Sequence, residues 1–289
     1  MASPLRRLLA LPIAMLAVLG VCAVVAPGSA DAAANCGGTR IAKPGGGYWT
    51  CSWDDEFGGV ALDVTKWSVQ TSTYSGRTAG QACLVSTAKN EYVSGGQLHL
   101  VVKKETKPFV CAMPGGLSFT TQYTGAEVYS YSKFSQLQGR FEIRAAFPAA
   151  KIAGLQEALW MWPNNPTKYG AWPKSGEIDI AEAASLYPDR VIPFIHYNSG
   201  TDLNVTNNYC KVLNMSQMHK YTLTWTATNM TIQFDGKTCV SDNLPSGNPF
   251  DQPFFLAMTQ GLGVSPNAFT AGKTPLPGTT RIDYVRVWK

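Results

Sequence analysis

Short runs of β-branched and aromatic residues recur along this chain: "QLHLVVKK", "AEVYSY", "GRFEIRAAF", "RVIPFIHY", "KYTLTWTA", "MTIQFDG", "PFFLAMTQ" and "RIDYVRVWK". Gly, Pro, Asn and Ser fill the gaps, and these residues supply turns rather than extend strands. Long stretches with the 3.6-residue spacing of an amphipathic helix are missing. In "YTLTWTATNMTIQFDGK" two alternating arms flank Thr228 and Asn229, the pattern of a hairpin. The chain is therefore expected to be all-β. With 289 residues, two antiparallel sheets packed as a sandwich bury the apolar faces of so many strands most simply. Curvature in such a sandwich leaves a concave face for an extended ligand.

Residues 1–32 are set aside from this fold. Arg6 and Arg7 precede an apolar run at residues 8–25 that ends in "APGSADAAA", the layout of a secretory signal cleaved after Ala32. A retained anchor would want a longer apolar span followed by basic residues. Residues 33–289 show no second composition shift and no long linker, so one secreted domain, monomeric and free of the membrane, is expected. Cys22 leaves with the signal, and six cysteines remain at positions 36, 51, 83, 111, 210 and 239. An even number in an oxidising compartment predicts three disulfides. Fifteen pairings are open, and loop closure favours near neighbours: Cys36 with Cys51, Cys83 with Cys111, Cys210 with Cys239. No CxxC spacing or nearby histidine points to zinc. The formal charge of +5 is mild and no Lys/Arg cluster stands out, so no nucleic-acid partner is expected.

The segment "SGEIDIAEAA" at residues 175–184 crowds Glu177, Asp179 and Glu182 among apolar neighbours in a chain with 19 acidic residues. On a helix the two glutamates would lie about 140° apart at ~100° per residue. On a regular strand Glu177 and Asp179 share a face while Glu182 falls on the other. A β-bulge near Ile180 and Ala181 restores Glu182 to the face of its partners. The glutamates then behave like positions four apart, roughly 13 Å between Cα atoms at ~3.3 Å per residue. Their side chains can lean to about 5 Å, the separation of nucleophile and acid/base in a retaining glycosidase. In that chemistry one ionised glutamate attacks the anomeric carbon and the other protonates the leaving oxygen, with Asp179 between them hydrogen-bonding the nucleophile. Calcium binding and a solvated acidic strand are the other readings, and neither explains the apolar interleaving or the tryptophans on either side.

With these residues in view, the chain resembles glycoside hydrolase family sixteen, the concanavalin-like β-jelly-roll enzymes that cleave β-1,3- and β-1,4-linked glucans and galactans with retention. "GEIDIAE" is similar to that family's ExDxxE signature in its bulged, laminarinase-like form. The likeness continues through "WDDEFGGVALDVTKW", "QGRFEIRAAFP", "LWMWP", "MHKYTLTWT", "IQFDGK" and "RIDYVRVW". It implies Glu177 as nucleophile, Asp179 as assisting acid and Glu182 as general acid/base, with no organic cofactor. It further implies sugar contacts from Trp172, Trp160, His196 and Asn90. A structural calcium on the convex face would be held by Glu56, a carbonyl near Gly96, and Asp283, unless those carboxylates pair with lysine or arginine instead.

Three departures from the laminarinase-like pattern touch the cleft rim. Gln156 and Glu157 stand in "QEALW" where a Trp-Pro is usual, Ala126 and Glu127 stand where an arginine is common, and "GLGVSPNAF" lacks a tryptophan. The expected partner is a polysaccharide, with β-1,3-glucan as the default substrate of an endo-acting, secreted hydrolase. A galactan, transfer to another sugar, or binding without cleavage are the alternatives, since substrate choice lies in the loops around the acids.

Overall fold

The structure is a computed structural model that describes residues 34–197 and 204–289; the expected signal lies outside the described residues. In chain order the strands are β1 (Cys51–Asp55), β2 (Ser68–Val69), β3 (Cys83–Leu84), β4 (Glu91–Ser94), β5 (Gln97–Ala112), β6 (Ser118–Tyr129), β7 (Gly139–Ala146) and β8 (Leu155–Pro163). They continue with β9 (Glu177–Ala184), β10 (Ile192–His196), β11 (Asn204–Thr206), β12 (His219–Trp225), β13 (Asn229–Phe234), β14 (Lys237–Asn243), β15 (Phe254–Leu262) and β16 (Gly278–Trp288). One helical turn, α1 (Ser72–Ser75), precedes β3. The all-β expectation holds.

One layer runs β11-β10-β9-β8-β15-β6 and the other β5-β16-β7-β12-β13-β14. Neighbours pair antiparallel, apart from β3, which lies parallel to β6. The two layers of the expected sandwich are joined by a continuous ladder through β6 and β5. β5 is 16 residues long; its residues 98–102 pair with β16, and beyond them it pairs with β6 through an irregularity between Lys104 and Phe109. A strand of that length, bent at its middle, carries the hydrogen-bonded ladder from one layer into the other.

Alternation in each strand fills the space between the layers. Phe141, Ile143, Leu223, Trp225 and Ile232 from one side meet Leu159, Met161, Ile178, Leu256 and Met258 from the other in a single buried cluster. Each such large apolar side chain contributes roughly 1.5–3 kcal/mol when removed from water. The expected hairpin is present, with Trp225 opposite Met230 and its turn closed by the Thr226 N–H donating to the Asn229 carbonyl at 2.8 Å. The three disulfides pair Cys36 with Cys51, Cys83 with Cys111, and Cys210 with Cys239, the near-neighbour pattern.

Candidate active site

The acidic cluster lies on β9, and the ladder there is irregular on both sides. Against β8, Leu159 opposes Ala181 but Trp160 already opposes Asp179. Against β10, Ile192 opposes Glu182 and Phe194 opposes Asp179. One residue of β9 is thus extra on each side, at the Ile180–Ala181 step where the sequence called for a bulge. Ile178, Ile180, Ala181 and Ala183 consequently all enter the core, while Glu177, Asp179 and Glu182 line one cavity of about 210 Å³ on the other face.

The three carboxylates have different surroundings. Trp172 donates its indole N–H to Glu177 Oε2 at 2.6 Å. His196, opposite Glu177 in register, brings Nε2 to 3.0 Å from Asp179 Oδ2. Asp179 is therefore held by the imidazole, whereas the sequence reading had it bonding the nucleophile. Gln156 donates to Glu182 Oε1 at 3.4 Å, and its own Oε1 accepts from Asn267 at 3.4 Å.

Burial raises Glu177 above the ordinary carboxylate range, against the opposing pull of His196, the Trp172 N–H and Arg77. Asp179 is pushed well up by burial and then by Glu177. Glu182 is likewise pushed well up by burial, then by Asp179 and Glu177. Glu177 is raised less far than the other two, because the Trp172 N–H at 2.6 Å and the Arg77 charge, together with His196, favour its ionised form. Glu177, Asp179 and His196 each bring a ligand atom within 4.8 Å of one another, a spacing open to a metal, yet these groups already engage one another and Trp172.

Trp160, Thr259, Arg77 and Gln156 join the acids around the cavity. A second cavity of about 290 Å³ shares Arg77 and Trp160 and is walled by Tyr74, Tyr129, Tyr131 and Trp162. Trp172 is 51% exposed, so its ring is open to a ligand while its N–H is committed. Trp160 differs: it is 5% exposed, its N–H donates to Thr259 at 3.0 Å, and the Arg77 guanidinium lies 4.7 Å over its ring. It lines the cavity as expected but has no open face for stacking. Gln156 was visible in the sequence as a departure from the pattern. Arg77 and Asn267 carried no signal, because each reaches the site from a distant loop.

Two expectations need correction. Asn90 is wholly buried and donates to the Val101 carbonyl at 2.9 Å and to Thr124 Oγ1 at 3.0 Å, so it fastens β4 and β6 to β5 and offers nothing to a glucan. Glu56 receives a two-pronged pair from Arg286 at 2.7 and 2.8 Å, and Asp283 pairs with Arg144 at 2.5 Å. Both carboxylates are neutralised by guanidinium groups, and Gly96 occupies the β4–β5 turn at φ 72°. The charges that would hold calcium are already matched.

A model of the family described as Glycosyl hydrolases family 16 matches residues 78–285. Glucan endo-1,3-beta-glucosidase A1 of Niallia circulans is 31% identical over 268 residues, covering 82% of this chain and 37% of the relative. The chain thus spans little more than a third of that relative's length. A beta-glucanase of Rhodothermus marinus is 29% identical over 84% of this chain and 86% of its own length. The solved laminarinase from Rhodothermus marinus superposes with a TM-score of 0.71 at 27% identity, covering 83% of this chain and 97% of the other.

Proposed function

The chain belongs to family 16 of the glycosyl hydrolases, and from that membership we propose that residues 33–289 form a single secreted, monomeric catalytic domain, an endo-β-glucanase that hydrolyses β-1,3-linked glucan with retention. The observation that carries this reading is the bulge in β9, which gathers three acids of unequal proton affinity on one face. Glu177, the most easily ionised of them, attacks the anomeric carbon from below the sugar. Glu182, kept protonated by burial and by its two acidic neighbours, gives its proton to the glycosidic oxygen as that bond breaks. A covalent glycosyl ester on Glu177 results. Glu182, now ionised, takes a proton from water, and the hydroxyl adds to the anomeric carbon and frees Glu177.

Asp179, fixed by His196, stays protonated beside Glu177 and so adds no second negative charge beneath the developing cation. Trp172 serves twice, holding Glu177 through its N–H and offering its exposed ring to the apolar face of a sugar. The aromatic walls of the adjoining cavity suit further sugars of the same chain. Catalysis of this kind needs no cofactor, and the guanidinium-paired Glu56 and Asp283 do not fit a structural calcium. Three disulfides support export to an oxidising compartment, and no helix among the described residues is long and apolar enough to cross a membrane.

The test is release of reducing ends from laminarin by the wild type and by Glu177→Gln. Short oligosaccharides from the wild type and a rate at least roughly 10³-fold lower in the variant are expected. Equal rates would remove Glu177 from the chemistry.

A further inference from the structure

Between α1 and β3 the chain crosses the layer that holds β6 and β15, and this crossing is fastened at several points. Its ends are tied by the Leu84 N–H donating to Ser72 Oγ at 2.9 Å. The Leu262 N–H donates to the Ala79 carbonyl at 3.1 Å, and Thr121 Oγ1 donates to the Gln81 carbonyl at 2.7 Å. The Cys83–Cys111 disulfide and a bond from Thr73 Oγ1 to the Ala112 carbonyl at 3.2 Å join the crossing to the far end of the β5–β6 hairpin. Close approach to the sheet depends on glycine: a Cβ at Gly261 would stand 2.4 Å from that of Ala79.

This fastened crossing presents Arg77. Its guanidinium covers the Trp160 ring and donates once, from Nη2 to Glu127 Oε2 at 3.4 Å. Glu127 also accepts from Thr259 at 3.0 Å, and Thr259 accepts from Trp160, so the aromatic ring, the hydroxyl and the carboxylate together set the guanidinium's position. Arg77 is the one cation lining either the cavity of the acids or the aromatic cavity beside it, among the described residues. Its side chain is 47% exposed while Glu127 is 3% exposed. A guanidinium has five N–H donors, and Arg77 lines both cavities.

We propose that Arg77 is a substrate-binding residue which grips the hydroxyls of the sugar spanning the two cavities, and that this grip selects which linkage can run from the aromatic cavity onto the acids. The proposal deepens the glucanase reading and rests on it. Trp160, with no open face, supports the guanidinium and does not stack on the sugar. Glu127 tethers it, and the disulfide-pinned crossing keeps it at the rim. A planar fork on a fixed ring can meet two adjacent hydroxyls of one sugar, which a flexible ammonium does less well.

The experiment measures kcat and KM on laminarin oligosaccharides and on a mixed-linkage β-glucan for wild type, Arg77→Ala, Arg77→Lys and Glu127→Gln, with thermal unfolding of each. At a pH above the acidic limb, where Glu177 is ionised with or without the Arg77 charge, Arg77→Ala is expected to raise KM about tenfold or more while kcat changes little, the size of a charge-assisted hydrogen bond. The effect should be unequal on the two substrates, and Arg77→Lys should recover part of it. Glu127→Gln, which removes the tether but keeps the guanidinium, should change KM less than Arg77→Ala. An unchanged KM in Arg77→Ala, an equal effect on both substrates, or a Glu127→Gln defect matching that of Arg77→Ala would overturn the assignment with the glucanase reading intact. No product from the wild type would overturn that reading and this proposal with it.

Discussion

Replacing Glu157 with glutamine should make the protein more stable, and increasingly so as pH rises. Glu157 is buried, and Oε1 accepts from Gln260 Nε2 at 2.8 Å, while Gln260 Oε1 accepts from Thr280 at 2.8 Å. Burial pushes its carboxyl from 4.5 up to about 8. In the unfolded chain the proton leaves near 4.5; in the folded chain it stays until about 8. The contribution to stability is therefore fully present below 4.5 and is lost progressively as pH rises through 8. At ~1.36 kcal/mol per pH unit the loss is under ~1 kcal/mol at pH 5 and about 3 kcal/mol at pH 7. Glu157→Gln keeps the acceptor for Gln260 and has no charge to lose. Any penalty from its extra amide hydrogen is the same at both pH values and cancels in the comparison. Denaturant unfolding with disulfides intact should show the gap between variant and wild type widening by about 2 kcal/mol from pH 5 to pH 7. A gap that is the same at both would refute the reasoning, because Glu157 would then ionise alike in both states.

The pH profile of kcat/KM should be bell-shaped, its acidic limb set by ionisation of Glu177 and its alkaline limb by loss of the Glu182 proton. Both limbs should lie above the ordinary carboxylate range, because burial raises both groups, and full activity at pH 3 would contradict this. Trp172→Phe keeps a ring but removes the N–H that favours ionised Glu177, so the acidic limb should move to higher pH and the rate fall roughly tenfold. A slower enzyme with an unmoved acidic limb would leave Trp172 with stacking alone. Asn90→Ala strips partners from a buried carbonyl and hydroxyl and should cost about 2–3 kcal/mol of stability without altering KM. A raised KM at unchanged stability would restore the sugar-contact role.

Much of this architecture was legible because it follows from local spacing. Period-two alternation placed the strands, and the need to return Glu182 to the face of Glu177 placed the bulge within one step of Ile180. Near-neighbour loop closure favoured, among fifteen open pairings, the three disulfides that form. What the sequence hid is long-range. Arg77 meets Glu127 across 50 residues, and Asn267 braces Gln156 across 111, distances over which no periodicity operates. Resemblance alone misplaced Asn90, because a shared position does not tell whether a side chain faces a cleft or fills a buried corner. It likewise suggested calcium at Glu56 and Asp283, whose guanidinium partners come from strands brought alongside only by folding: Arg286 on β16 beside β1, and Arg144 on β7 beside β16. Trp160 was correctly set at the cavity, but only the folded chain reveals that Arg77 covers its ring.

The most direct measurement is mass spectrometry of the enzyme after reaction with a 2-deoxy-2-fluoro glucoside bearing an activated leaving group, which slows breakdown of a covalent intermediate. One glycosyl unit should be found on the peptide containing "SGEIDIAEAA", attached to Glu177, and Glu177→Gln should remain unlabelled. Label on Glu182, or turnover of laminarin with no covalent species and inverted product, would contradict the assignment of nucleophile and acid.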